Sequence, residues 1–282
     1  MTDKRFFGLR GCMKSGTNWL GSLLSSHAEI CCVGEFHWQD IIKHFNINQN
    51  NLPIFSTPEA KERARDHFET MVRKCLIDAA EPTATVIGDR TPHTILPTII
   101  GGIPYISIIR DGRDILVSRA FHLYNHPKVH RLFDRIPAMG KTFEEFQKDQ
   151  WYFKKHPEKL LCHEVMVRES VQWWRQHLER DSQAVNQFPN LKVKFVRYED
   201  LHKDTFAERA KLFEFLDVDP SKAAKIKGAL KPGFKTERPS EFLRKGKVGD
   251  WKNYFTDQTK QWFKEEAAEQ LIEYDYEANN DW

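Results

Sequence analysis

Lys14-Ser15-Gly16-Thr17-Asn18-Trp19 follows the short apolar run from Phe6 to Leu9. The two read as a strand, a glycine-bearing turn and a helix that begins near Thr17. Such a turn aims backbone N–H groups and the positive end of a helix at one point. Lys14 adds a full charge there, so the loop suits a phosphate. The register Gly8…Lys14-Ser15 is that of a Walker A loop with one departure: Met13 stands where the second glycine belongs.

Around this loop, apolar runs of strand length alternate with helical patterns. Residues 6–11, 85–88, 104–109 and 192–196 read as buried strands. Residues 19–25, 114–123, 143–154, 164–180, 206–216 and 258–274 read as helices. That alternation predicts an α/β, P-loop-containing fold, with a central parallel sheet and helices on both faces. Residues 41–62 and 125–160 are polar and aromatic by turns. They read as excursions over the sheet's C-terminal edge, where open α/β folds bind ligands. Residues 232–251 are basic and punctuated by glycine, and read as an ordering loop. No linker, repeat or low-complexity tract divides the chain, so residues 1–282 are expected to form a single domain.

Bulk composition narrows the function classes. A chain 40% hydrophobic with 20 Phe and 8 Trp has ample core-forming side chains. A net charge of +3 argues against nucleic acid as partner and makes any basic site a local one. No apolar run reaches the length of a membrane span, and Met1-Thr2-Asp3-Lys4 does not open a signal peptide. Five cysteines, with Cys31 and Cys32 adjacent, do not form a disulfide framework, and Cys12 reads as small packing. These features predict a cytoplasmic protein without a membrane partner.

Two further segments carry chemistry. In Ser107-Ile108-Ile109-Arg110-Asp111-Gly112-Arg113-Asp114, Arg110 ends an apolar strand and Ser118 lies two turns into the next helix. An arginine and a hydroxyl so placed suit bidentate capture of a second phosphate. The plainer reading is a strand-to-helix turn with Arg110 paired to Asp111 or Asp114, and this segment alone leaves both open. Phe242-Leu243-Arg244-Lys245-Gly246-Lys247-Val248-Gly249-Asp250-Trp251-Lys252-Asn253 places cations around two glycines, able to wrap a polyanion through side chain and backbone. A solvated charge run is the ordinary alternative, but such a run does not need the glycines or Trp251.

Together these segments resemble the sulfotransferases that use 3′-phosphoadenosine 5′-phosphosulfate (PAPS). Residues 14–19 resemble that family's 5′-phosphosulfate loop, and Arg110 with Ser118 resembles its 3′-phosphate site. Arg197-Tyr198-Glu199-Asp200-Leu201 resembles its Tyr-Glu-Asp-Leu segment. Arg244-Lys245-Gly246…Gly249-Asp250-Trp251-Lys252-Asn253 resembles the closing loop of the cytosolic members. The resemblance implies PAPS as co-substrate with no required metal, which agrees with Met13. It implies that Lys14 neutralises the leaving phosphate, and that the amides of Ser15, Gly16, Thr17 and Asn18 with the Thr17 hydroxyl hold the 5′-phosphate. Trp19 would stack on adenine with Tyr198 nearby. Arg110, Ser118, Arg244, Lys245 and Gly246 would hold the 3′-phosphate, which distinguishes PAPS from ATP.

The resemblance leaves the general base open. Cytosolic members carry Lys-Thr-His with the histidine as base; here the stretch is Arg90-Thr91-Pro92-His93, with His93 one residue late. The tyrosylprotein branch places a glutamate after the first helix, and His27-Ala28-Glu29…Gly34-Glu35 resembles that stretch. A Glu in a closed, partly apolar site can be raised toward neutrality. Glu35 is placed ahead of His93 and His37, with Arg90 stabilising the transferring sulfonate.

Other features read plainly. Trp173-Trp174 is core, and His122, His126 and His130 are not a metal site because Pro127 interrupts their helix. Phe45, Phe55, Phe121, Tyr124 and Phe133 are candidates to line an acceptor pocket. The expected function is sulfuryl transfer to a hydroxyl or amine of a small molecule, with secondary metabolites among the open choices. An ATP-dependent small-molecule kinase and a catalytically inactive nucleotide-binding protein are the competing readings. Oligomeric state is not legible.

Overall fold

The computed structural model describes residues 4–127, 132–233, 237–240 and 244–282. In chain order the elements are β1 (Arg5–Gly11), α1 (Thr17–Leu24), β2 (Ile30–Gly34), α2 (Trp38–Asn51), α3 (Pro58–Ala79), β3 (Val86–Arg90), β4 (Tyr105–Ile109) and α4 (Gly112–Asn125). There follow α5 (Leu132–Arg135), α6 (Ala138–Lys148), α7 (Tyr152–Lys155), α8 (Glu164–Gln187), β5 (Val193–Arg197), α9 (Tyr198–Lys203), α10 (Thr205–Phe215) and α11 (Asp257–Glu273). The chain forms two compact units. The first contains Met1–Cys12, Gly16–Ile109 and Arg180–Leu230; the second contains Met13–Ser15, Arg110–Glu179 and Lys231–Trp282.

The first unit holds a parallel sheet of strand order β2-β3-β1-β4-β5. Side chains alternate across each strand, so neighbouring apolar residues feed opposite faces. Phe7 and Leu9 pack with Leu20, Leu23 and Leu24 of α1 and Leu212 and Phe213 of α10. Phe6 and Ile87 pack on the other face with Trp38 and Ile42 of α2 and Phe68, Val72 and Leu76 of α3. The expected α/β class, with helices on both faces, is what forms. Gly8 is required by packing, since a Cβ there would lie 2.3 Å from Cε1 of Tyr105 on β4.

Two parts of the sequence reading are corrected here. Residues 41–62, read as an excursion and given no helix, are most of α2, a short 3-10 turn at Pro53–Phe55 and the start of α3. Their apolar positions are sparse, yet Phe68, Val72 and Leu76 recur every fourth residue and bury one stripe of α3. Thr57 caps α3 by accepting from the Ala60 amide (3.2 Å), with Pro58 in the first turn. Strand β2 was not anticipated. It is an edge strand of five residues with only Ile30 and Val33 buried, so it carries little apolar signal.

In the second unit α4 is buried along most of its length, and Gly112 lies under Trp174: a Cβ there would be 2.5 Å from the indole. The predicted continuous helix over 143–154 is broken. Asp149 adopts an extended backbone and its carboxylate accepts from the Trp151 amide (2.9 Å), which ends α6 at Lys148 and starts α7 at Tyr152. Tyr124, Phe146 and Phe153 form an aromatic cluster with centroids 4.8–6.3 Å apart.

Candidate active site

The loop after β1 has the strand–turn–helix form its sequence implies. Lys14 sits at φ 74°, a left-handed conformation costly for a residue with a Cβ. Gly16, at φ 109°, begins α1 without a side-chain cap, which leaves the helix's first-turn amides to another acceptor. A Cβ on Gly16 would lie 2.8 Å from the Tyr198 ring, so glycine serves both conformation and space. Ser15 Oγ is buried with no hydrogen-bond partner among the described residues.

In the first unit, sheet register brings Arg90 and Glu35 together. Arg90 ends β3 opposite Gly34, the last residue of β2, so Glu35 leaves the C-terminal edge beside it. Arg90 Nη1 donates to Glu35 Oε1 (2.7 Å) and also to Asn18 Oδ1 on α1. Two glycines make room for that side chain: a Cβ on Gly21 would fall 2.7 Å from Arg90 Cδ, and one on Gly34 2.7 Å from Nη2. The Glu35 side chain is 33% exposed, and its other oxygen lies 3.7 Å from His37 Nε2. His93 is half-buried; its carbonyl accepts from the amide of Gly11, the last residue of β1 (3.3 Å). Burial lowers its imidazole below the ordinary histidine value, which favours the neutral ring. Trp19 donates from Nε1 to the Leu230 carbonyl (3.1 Å) and meets Tyr198 edge-on at 5.5 Å.

In the second unit, Lys14, Ser118, Phe121, His122, Asn125, His126 and Arg244 line a small cavity. Burial first, then the charges of Arg110 and Arg244, pull the Lys14 ammonium down to about 8. Arg110 donates to the carbonyls of Lys14 (3.1 Å) and Lys247 (2.9 Å), tying the turn at Lys14 to the segment at Lys247. Asp114, not Asp111, faces Arg110, at 3.5 Å, and Asp111 pairs with Arg113 instead. The buried Asp114 carboxylate also accepts from the amides of Gly249 (2.8 Å) and Trp251 (3.0 Å). Gly246 and Gly249 sit at positive φ, which lets the chain fold back there. Arg244 lies over the Phe121 ring at 4.2 Å and is held by Glu237 and Asp250; Lys245 Nζ donates to Asp250 at 2.5 Å. Burial alone would raise Asp250, but Arg244 and then Lys245 hold it below the usual carboxylate value.

The glycine-bearing loop after β1, with a basic cavity beside its lysine, lies within a stretch that matches a known domain. The sulfotransferase domain aligns with residues 9–275 of the chain. The chain belongs to the PAPS-dependent sulfotransferase family. Flavonol 4′-sulfotransferase of Flaveria chlorifolia is 24% identical over 269 residues, covering 87% of this chain and 72% of that protein. Sulfotransferase 1C2 of Rattus norvegicus is 24% identical over 199 residues, 63% of this chain and 58% of that protein. Among solved structures, a mouse sulfotransferase complexed with PAP covers 95% of this chain and 84% of its own, at 19% identity and a TM-score of 0.48. As a member of this family the chain is a transferase, and a kinase on the same framework is set aside.

As a sulfotransferase, the chain places its anticipated residues in two groups. Asn18, Glu35 and Arg90 touch, as do Trp19 and Tyr198. Lys14, Ser118 and Arg244 share a cavity, with Arg110 bonded to the Lys14 carbonyl and Lys245 paired beside Arg244. Sequence reasoning named Asp114 only as one of two possible partners of Arg110, and missed Glu237, Gly21 and Gly34. Asp114 had a visible signal, since it is four residues after Arg110 on one helix. Trp174 is core, as expected. The His122 and His126 rings lie 4.7 Å apart, His130 lies outside the described residues, and no group of metal-ligating side chains forms among the described ones. Tyr124 belongs to the aromatic core of its unit, and Phe45 stacks on Phe68 in the other.

Proposed function

We propose that residues 1–282 work as one sulfotransferase domain that sulfates a hydroxyl or amine of a small-molecule acceptor, in the cytoplasm and without a metal, a membrane or a nucleic acid. The observation that carries this reading is the setting of Lys14. It stands in a left-handed turn, lines a cavity with Ser118 and Arg244, and is lowered first by burial and then by two neighbouring arginines. A lysine so placed calls for the negative charge of more than one phosphate.

PAPS supplies the sulfuryl group when bound. The amides of Ser15 to Asn18, with the Thr17 hydroxyl, hold the 5′-phosphate at the start of α1, and the orphaned Ser15 Oγ is a ready donor. Lys14 neutralises the phosphate that leaves. Arg110, Ser118, Arg244, Lys245 and Gly246 take the 3′-phosphate. Trp19 and Tyr198 hold the adenine. Glu35 removes the acceptor proton through the oxygen that Arg90 leaves uncovered, and Arg90 faces the transferring sulfonate. His93 is the second reading for the base, favoured by the burial that keeps its ring neutral. Acceptors of small organic type are supported by the names of relatives such as flavonol 4′-sulfotransferase. No helix among the described residues is long and apolar enough to cross a membrane.

The test is a mass-spectrometric acceptor screen with PAPS, scoring the sulfonate mass increment, run beside Lys14→Ala. Loss of about a thousandfold in turnover in the variant is expected. Unimpaired turnover refutes the role of Lys14. Tight PAP binding without transfer to any acceptor supports instead an inactive nucleotide-binding protein.

A further inference from the structure

Arg244 and Lys245, proposed above for the 3′-phosphate, already carry carboxylates. Arg244 reaches Glu237 with one nitrogen and Asp250 with the other. Lys245 Nζ lies 2.5 Å from Asp250 and 3.6 Å from Glu237. Two cations and two carboxylates thus neutralise one another beside the Lys14 cavity. A phosphate dianion added there is repelled by both carboxylates unless one of them leaves.

The two acids are not equally bound. Asp250 is buried, opens the short helical turn Asp250–Asn253, and accepts from Arg244, Lys245 and Asn253 Nδ2 (3.0 Å). Glu237 is held by the same Arg244 and Lys245. It also borders a second cavity of about 510 Å³, lined by Lys154, Lys245, Lys247, Asn253 and Tyr254 among others. That cavity offers Glu237 two further cations, Lys154 and Lys247.

We infer that Glu237 is an internal counter-ion that occupies Arg244 in the empty site and yields it to the donor's 3′-phosphate, turning toward Lys154 and Lys247. Glu237 then sets how tightly the donor is held and helps expel the spent nucleotide, because its return to Arg244 competes with the bound phosphate. The inference rests on the 3′-phosphate reading of Arg244.

Calorimetry on the whole chain at fixed ionic strength, with PAP and with AMP as titrants, tests it; AMP lacks the 3′-phosphate. Glu237→Gln is expected to bind PAP about tenfold more tightly than the unmodified protein, with AMP affinity unchanged. Glu237→Ala is expected to do the same, and a gain of affinity is not a result that misfolding produces. If the unmodified protein prefers PAP to AMP but the variants gain nothing, lose affinity, or gain equally for AMP, the counter-ion role is overturned while the 3′-phosphate site stands. If the unmodified protein binds PAP no better than AMP, the 3′-phosphate reading fails and the counter-ion role with it.

Discussion

Binding of PAP should draw a proton from solution, because Lys14 is partly neutral in the empty protein. Burial and the Arg110 and Arg244 charges lower its pKa from 10.5 to about 8. Two phosphates beside the ammonium favour the charged form and raise the value again. The sign follows from linkage: binding takes up protons wherever the complex binds more of them than the free protein, and affinity falls as pH rises through the free value. With a free value of about 8, uptake is about 0.1 proton at pH 7, about 0.5 at pH 8 and about 0.9 at pH 9. Affinity therefore drops about tenfold between pH 7 and pH 9. The phosphate itself, with its second pKa near 6, is a dianion throughout this range. Calorimetry in pairs of buffers of different ionisation enthalpy reads the uptake directly. Lys14→Met serves as subtraction for other groups that titrate near pH 8, and Lys14→Arg should bind without uptake. No proton uptake at pH 8–9, or the same uptake in Lys14→Met, refutes the argument.

The other expectations concern the first unit. Glu35→Gln should lower kcat by about a hundredfold to ten-thousandfold if Glu35 is the base, whereas His93→Gln should carry that loss if the histidine is; the pair of turnover measurements decides between them. Gly21→Ala pushes a methyl to within 2.7 Å of Arg90 Cδ, so it should reduce kcat in the parent but add little in an Arg90→Ala background. Asp181, buried and accepting from the Ile95 amide (2.7 Å) and the Ser107 hydroxyl (2.8 Å), is raised by burial to about 6. A carboxyl raised on folding favours the folded state below its unfolded value near 3.8 and loses that contribution as pH rises through 6. Asp181→Asn should therefore gain up to about 3 kcal/mol on the parent between pH 4 and pH 7 in denaturant titrations; a constant difference across that range contradicts the assignment.

The strand–turn–helix form of the Lys14 loop was legible because everything it needs is local. A strand, a glycine able to adopt positive φ, a lysine and a helix start lie within a dozen residues, and each has its own physical requirement. The same holds for the helix that follows Arg110 and for the glycines of the closing loop. The α2–α3 region was misread because its helices bury only a narrow stripe among polar residues, and β2 because an edge strand of two cysteines and a glycine resembles a loop.

What no local pattern could supply was the choice of partners. Arg90 meets Glu35 because β2 and β3 pair in one register, and a slip of β2 by one residue would move Glu35 out of line with Arg90. Asp114 meets the amides of Gly249 and Trp251 across more than a hundred residues of chain. Arg244 and Lys245 could be read from sequence as phosphate ligands; that carboxylates already hold them could not, since charge pairing depends on where the fold brings an acid within a few ångströms. Residue chemistry at the phosphate loop was set by neighbours in the chain, and the charge balance around it by neighbours in space.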